Sequence, residues 1–451
     1  MTTVYRIAQL LGRPQVRKLV VIALWLAAVA ASAVRVWVML RHPILPGEHY
    51  RISGDRYFGD FRDTVWTPGR FLLRGGNPYD PGTYLAANPW ALPFSLYTPA
   101  WLLLAGVLAP LPYLVSVAVY QVLSLGVAVV MLRVICRWSL PTIADIAVPA
   151  GLLWMNIWYP GRGALSTQVG SVFAVLGIAL VLRSLARPAP PSSGPADVQA
   201  PRPRSVIDRA CAVGVALALV KAQFGAAVVV GFGFGRFREV WWGLVGLTLL
   251  SMPALILCAV AAGGPIEFAR SVLRDLAVLN SNASPTGLAY PGQLRFDIIG
   301  QLARYGLVNP PLWLQAGVPL LAFAAALVAV RLTRDPLLVS AVVCTSILIG
   351  FYHSRYDLLL LFIPIAVGAG MVVRGELTST AQRITVGALV LVVLHLHTVS
   401  AALIPGFDVR AGDTVDLVLV VIGLVGAMYS VLSTQRRSSG VDVMPKQPLV
   451  S

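Results

Sequence analysis

Apolar residues in this chain come in blocks of about 16–22, the length an α-helix needs to cross the hydrocarbon core of a bilayer. The blocks recur from Leu19 to within twenty residues of the last position. A segment in lipid must satisfy its own backbone donors and acceptors, so each such block is expected to be helical. The expected fold is therefore an all-α polytopic membrane protein. Composition agrees: 57% of the 451 residues are apolar and 12% are charged, about half the charged share of a soluble domain. That excludes a soluble globular enzyme, a disordered tail and a disulfide scaffold. The first block, Leu19–Leu40, is too long for the apolar region of a cleavable signal peptide and lacks a small-residue cleavage site.

Arginine and lysine orient the blocks, because cytoplasmic loops collect them. Arg6, Arg13, Arg17 and Lys18 precede the first block, which puts the N-terminus inside and residues 41–112 outside. Spans follow at about 114–133, 142–159 and 168–183. Residues 184–205, with PAPPSSGPAD and PRPRS, are too rich in Pro and Ser to pack and read as a flexible cytoplasmic loop. The apolar block 206–235 has basic residues at both ends, Arg204 and Arg209, then Arg236 and Arg238. Both flanks read as cytoplasmic, so the block is expected to be two short helices that enter and turn back, broken at Lys221-Ala222-Gln223. Further spans are expected at about 241–262, 312–331, 337–352, 358–373, 384–402 and 416–434, with a cytoplasmic tail over 435–451.

This reading gives about ten full spans plus one broken helix pair, a single domain over 1–434, and both termini cytoplasmic. It leaves a balance of +13 inside and +2 outside, with Lys221 supplying the rest of the net +16. The excess charge thus sets orientation, and no nucleic-acid partner is expected. Cys136, Cys211, Cys258 and Cys344 lie in or beside apolar blocks without CxxC spacing and read as small buried hydrophobes. The motifs of a Walker loop, HExxH and GxSxG are absent.

The long outer segment 41–112 is where chemistry is expected, since long ordered loops are usually functional. It holds Glu48, Asp55, Asp60, Asp63 and Asp80 beside Arg51, Arg56, Arg62, Arg70 and Arg74. Thr67-Pro68 reads as an N-cap and first-turn proline of a short helix over 68–74, and Gly75-Gly76 as its stop. Asn77-Pro78-Tyr79-Asp80 then reads as a turn. The Pro-bounded block 97–110 is short enough to lie in the interface. Asp60, just past the first span, has two readings from the residues alone: a general base that takes a proton from an acceptor hydroxyl, or one half of a surface pair with Arg56 or Arg62.

Lys221 is one of three lysines, and a cation at membrane depth costs on the order of 2.5–3.5 kcal/mol, so a partner is expected. A lipid-linked phosphate and a structural ion pair both fit. The cluster Tyr352-His353-Ser354-Arg355-Tyr356-Asp357 sits at the outer end of a span, and its Arg355 can hold a phosphate bidentately. An interfacial aromatic belt is the alternative. Gln168 and the stretch Asn280–Gln293 offer groups for sugar hydrogen bonds. His395 and His397, two apart, face different sides of a helix and imply no metal site.

The order of these elements resembles the GT-C glycosyltransferases, and most fully glycosyltransferase family 87, the actinobacterial polyprenyl-phosphate-dependent mannosyl- and arabinofuranosyltransferases. The residues that carry the resemblance are Gly59-Asp60-Phe61-Arg62, Val65-Trp66, Gly75-Gly76-Asn77-Pro78-Tyr79-Asp80 and Tyr97-Thr98-Pro99, with the pair broken at Lys221. The chain departs from the family pattern at Trp66, where tyrosine is usual, at Pro99, which is not doubled, and at Ala222, where proline follows the lysine.

The resemblance implies an inverting membrane glycosyltransferase with its site outside the plasma membrane. It implies Asp60 as base, with Asp63 as the second choice. Lys221, Arg355 and His353 are implied at the donor phosphate, and Arg62, Asn77, Tyr79, Tyr97, Gln168, Gln293 and Tyr356 at the substrates. The implied partners are a polyprenyl-phosphate sugar donor (arabinofuranose or mannose), a cell-envelope glycan or glycolipid acceptor, and membrane lipid, with no cofactor or metal. The rival readings are a transporter or flippase of lipid-linked sugars, which predicts two similar halves that the sequence does not display, and a non-catalytic envelope assembly protein.

Overall fold

The computed structural model describes residues 12–48, 59–94, 97–166, 169–186, 208–233, 236–279, 295–351, 354–394 and 409–439. Among them every regular element is a helix, and an isolated β-bridge joins Tyr97 and Lys221. The helices are α1 (Pro14–Arg41), α2 (Thr67–Leu73), α3 (Pro81–Ala87), α4 (Trp101–Leu108), α5 (Tyr113–Ser139), α6 (Ala144–Ile157), α7 (Tyr159–Ser166) and α8 (Val169–Leu185). They continue as α9 (Arg209–Ala218), α10 (Ala222–Gly233), α11 (Phe237–Ala261), α12 (Pro265–Leu279), α13 (Ile298–Arg304), α14 (Leu312–Leu332), α15 (Pro336–Gly350), α16 (Phe362–Arg374), α17 (Thr380–Leu394) and α18 (Val409–Ser439).

Among the described residues, six helices are long and apolar enough to cross a membrane: Pro14–Arg41, Tyr113–Ser139, Phe237–Ala261, Leu312–Leu332, Arg355–Arg374 and Gly412–Thr434. A seventh span results if Tyr159–Ser166 and Gly170–Leu185, bent by 106°, count as one. Large apolar side chains stand exposed along these helices, among them Leu26, Leu249, Val260, Leu320 and Leu321. Such surfaces are stable against lipid and not against water.

The expectation of about ten spans is corrected here. The blocks expected at 142–159 and 337–352 are the shorter helices Pro141–Ile157 and Pro336–Gly350. The one at 384–402 is described only as far as Leu394 of Thr380–Leu394, with 395–402 outside the described residues, and the one at 168–183 is one leg of the bent pair. The physical reason is length. α15 has 15 residues, about 22 Å of helix at about 1.5 Å per residue against a hydrocarbon core of about 30 Å. Its residues Leu337 to Gly350 are all buried, so it is packed among other helices. The last apolar span ends at Thr434, and α18 continues beyond it to Ser439. The flexible loop expected at 184–205 falls largely outside the described residues, as do both termini.

Two short helices, α9 and α10, stand where the broken pair is expected, but the break falls at Leu219, Val220 and Lys221 and not at 221–223, since Ala222 and Gln223 already belong to α10. Asp208 caps α9 by accepting from the N–H groups of Ala210 and Cys211. The close approach of α8 and α9 depends on glycine: a Cβ on Gly177 would lie 2.4 Å from the backbone nitrogen of Ala218. One continuous apolar core runs through the helices and includes Phe61, Val65, Trp66, Tyr79 and Tyr84 of the 41–112 segment. That loop is therefore packed onto the bundle.

Candidate functional site

The loop begins with a helical turn at Gly59–Phe61 that passes through a π-helical stretch, Arg62–Trp66, into α2. Thr67 is thus not an N-cap: Trp66 before it is already helical, and the Thr67 hydroxyl is buried without a partner. A π-helical turn widens the helix and commonly marks functional segments. Here it begins two residues after Asp60. Gly75 ends α2 at φ +81°, as a C-terminal glycine should. Asn77 closes the next turn, its carbonyl accepting from the N–H of Asp80 at 3.0 Å.

Aromatic contacts seat this segment. Phe61 is fully buried, with its ring 4.6 Å from Tyr120 and 6.0 Å from Tyr113. Trp66 meets Tyr113 edge-on, and the Trp101 indole donates to the Thr64 carbonyl at 3.0 Å. Asp60, one residue before Phe61, is half-buried, and its backbone carbonyl accepts from the Thr64 hydroxyl at 2.7 Å.

Arg62 and Asp63 are in a different position. Asp63 is 2% exposed and held bidentately by Arg62, with Nε to Oδ1 at 2.8 Å and Nη2 to Oδ2 at 3.0 Å. Arg62 itself is fully buried, donates to the carbonyls of Leu45, Glu48 and Trp90, and lies over the Trp90 ring. All five of its N–H donors are therefore engaged. The expectation that Arg62 contacts substrate is corrected: it clamps residues 45–48 and 90 to the loop helix. Asp63 as second-choice base is corrected too, since a sealed and doubly bonded carboxylate offers no oxygen to a hydroxyl. Burial, aided by the like charge of Asp60 and opposed by Arg62, pushes the Asp63 carboxyl up to about 6.

Asn77, Tyr79 and Tyr97 also carry the loop's shape. The Asn77 amide donates to Ser271 Oγ at 2.7 Å while its oxygen accepts from the Tyr79 N–H. The Tyr79 hydroxyl donates to the Tyr97 carbonyl at 2.7 Å, between the rings of Phe94 and Phe268. Tyr97 stacks on Trp101 with centroids 4.7 Å apart, and its backbone forms the isolated bridge with Lys221. Two motifs far apart in the chain, Tyr97-Thr98-Pro99 and the break at Lys221, thus meet.

Lys221 is 5% exposed and donates to Asp357 Oδ1 at 2.7 Å and Ser171 Oγ at 2.9 Å. Ser171 in turn donates to the same Asp357 oxygen, and the other oxygen accepts from the Ser354 backbone N–H. The rings of Phe224 and Tyr356 lie 5.2 and 5.0 Å from Nζ. The partner expected for a cation at this depth is therefore a carboxylate of the chain. Two of the ammonium's three donors are taken. Arg355 is more accessible and shares one carboxylate, Asp413, with Arg304, each at 2.7 Å. His353, Gln168 and Gln293 lie outside the described residues, as do His395 and His397.

Two features went unread in the sequence. The first is α12, an amphipathic helix against α3, which buries Asp275 completely with neither carboxyl oxygen bonded. Burial, and the like charge of Asp80, push this carboxyl up to about 8. The Tyr84 hydroxyl, whose acidity Asp275 influences, is also buried without a partner. The signal was the helical spacing of Phe268, Ser271 and Asp275, which puts an acid on the packed face. The second is Arg35, a charge inside the first span and visible as such. All four cysteines are free and buried, and among the described residues no group of three or more His, Cys, Asp or Glu is placed to hold a metal.

No protein-family model matches the chain, and no curated protein or solved structure matches it either.

Proposed function

We propose that this protein is an integral-membrane glycosyltransferase that moves a sugar, arabinofuranose or mannose, from a polyprenyl-phosphate donor to a glycan or glycolipid acceptor outside the plasma membrane. The observation that carries this reading is the contrast between the two neighbouring acids. Asp63 is sealed by Arg62, whereas Asp60 is half-buried at the start of a helix that Phe61 fixes against Tyr113 and Tyr120. A carboxylate that is partly desolvated, rigidly carried and still reachable has the properties of a general base.

In the reaction, Asp60 takes the proton of the acceptor hydroxyl as its oxygen bonds to the anomeric carbon. The bond from that carbon to the phosphate oxygen breaks, and polyprenyl phosphate leaves with the electron pair. One displacement inverts the anomeric centre. Arg355, partly exposed and bonded to Asp413 through Nη2, is the side chain that meets the leaving phosphate. Lys221 serves mainly to tie the broken pair to Asp357 and Ser171, with one donor left for a phosphate.

The contact pattern supports the sidedness on which this depends. Arg17 pairs with Asp145, Arg274 with Asp80, and Arg304 with Asp413. Each pair joins segments that the charge distribution assigns to one side. The test is transfer from radiolabelled polyprenyl-phosphate sugars in membranes carrying the wild type or Asp60→Asn. Loss of transfer by about 10²–10⁴-fold is expected for removal of a general base. Transfer unchanged by the substitution removes Asp60 from the chemistry, and donor binding by the wild type without transfer favours a transporter.

A further inference from the structure

Arg35 lies in α1 six residues before Arg41, the last residue of that helix, or about 9 Å along the axis from its outer end. The residue is 7% exposed. Its Nε donates to Asn156 Oδ1 at 2.9 Å and its Nη1 to Gln121 Oε1 at 3.0 Å, with the Met39 sulfur also near Nη1. Nη2, with two N–H donors, is buried and has no partner. Every group that Arg35 touches is neutral, so these contacts orient the guanidinium without balancing its charge. Gln121 is itself fixed, its amide donating to the Ser166 carbonyl at 2.7 Å.

Arg162, exposed on α7 four residues before the Ser166 whose carbonyl fixes Gln121, brings a second positive charge to this region. Among the described residues neither forms an ion pair with a carboxylate. Arg162 and Arg355 both flank the Tyr159 ring, at 5.8 and 6.0 Å from its centroid. A buried arginine with a fork half empty, beside a second unneutralised arginine, is an arrangement that a folded chain retains at a cost unless an anion completes it. Arginine at such a place matches phosphate best, because the planar fork bonds two of its oxygens at once.

We infer that Arg35 and Arg162 form a phosphate-binding site near the outer end of the first span, which takes a phosphate monoester. The buried Nη2 offers two N–H donors to the anion from within the helix packing, and Arg162 adds a second positive charge from the surface. At this depth the phosphate arrives on a lipid chain from the outer leaflet or as a free ion from water. The site stands on its own geometry. Its use for the donor phosphate rests on the glycosyl-transfer reading, and Gln121, one residue from the Tyr120 that seats Phe61, places it next to the Asp60 segment.

Binding without transfer tests it. Wild type, Arg35→Gln and Arg162→Gln in nanodiscs are titrated with farnesyl monophosphate, with farnesol, and with inorganic phosphate as competitor. Loss of the charged bonds is expected to weaken farnesyl monophosphate binding about tenfold or more in Arg35→Gln and less in Arg162→Gln, with farnesol binding unchanged. Competition by inorganic phosphate at similar concentrations supports the site with the free ion as its ligand; competition only at far higher concentrations supports the lipid-borne group. If Arg35→Gln does not fold, Arg162→Gln decides, since it is exposed. Farnesyl monophosphate bound as tightly by a folded variant as by wild type, or equal loss for the phosphate and the alcohol, overturns the inference. Intact binding in a protein that transfers no sugar leaves the site standing and refutes only the glycosyl-transfer reading.

Discussion

Replacing Asp275 by asparagine separates a buried proton from a buried charge. In the folded protein burial lifts this carboxyl to about 8, against an ordinary value of about 3.9 in an unfolded chain. Between these values the folded state holds a proton that the unfolded state has released. The folded state therefore loses stability as pH rises, fully favoured below about 4 and no longer losing once pH passes the folded value. Each pH unit in the window is worth about 1.4 kcal/mol, so on the order of 4 kcal/mol is lost from pH 4 to pH 7 through this one group. Asparagine has nothing to titrate. It also leaves a buried amide without partners, a cost of about 1–3 kcal/mol that does not vary with pH. The slope is thus the readout. Thermal unfolding in detergent from pH 4 to pH 9 is expected to give Asp275→Asn a flatter profile, with its advantage over wild type growing up to about pH 8. The remaining fall, below about pH 6, belongs to Asp63, whose carboxyl is raised in the same direction. Parallel profiles for the two proteins would refute the burial of an unpartnered Asp275.

Three further outcomes follow from particular contacts. Lys221→Ala should cost about 3–5 kcal/mol because it leaves Asp357 buried and unpaired, while Lys221→Met with Asp357→Leu should recover most of that; chemical unfolding of both variants checks it. Arg62→Ala should destabilise by a comparable amount, since three carbonyls and the Asp63 carboxylate lose their donors at once, and limited proteolysis should then cleave between residues 45 and 90. Cysteine at position 60 should react with an impermeant maleimide in intact cells and cysteine at position 436 only after permeabilisation; the buried state of the four native cysteines keeps the background low.

What could be read in the sequence was what depends on local chemistry. The charge flanks of 206–235 located the break at Lys221, and Gly75 and Asn77 marked a stop and a turn that the backbone adopts. What could not be read depends on who faces whom. Arg62 is one of several loop arginines in the sequence, and only the fold brings Leu45, Glu48 and Trp90 to its donors. Thr67 before Pro68 has every local mark of a cap, but the aromatic packing of Phe61 and Trp66 starts the helix earlier. The span count failed on length, because α15 is as apolar as a spanning helix but ends after 15 residues. Asp275 and Arg35 stood in plain view as an acid on an amphipathic face and a cation within a span, and their significance lies in missing partners, which no sequence lists.

The purified protein offered a panel of polyprenyl-phosphate sugars puts the central claim to its most direct test. One of the sugars should pass to an acceptor hydroxyl with its anomeric configuration inverted and only while Asp60 is present. Donor bound by every preparation and never consumed, or a product of retained configuration, would contradict the account.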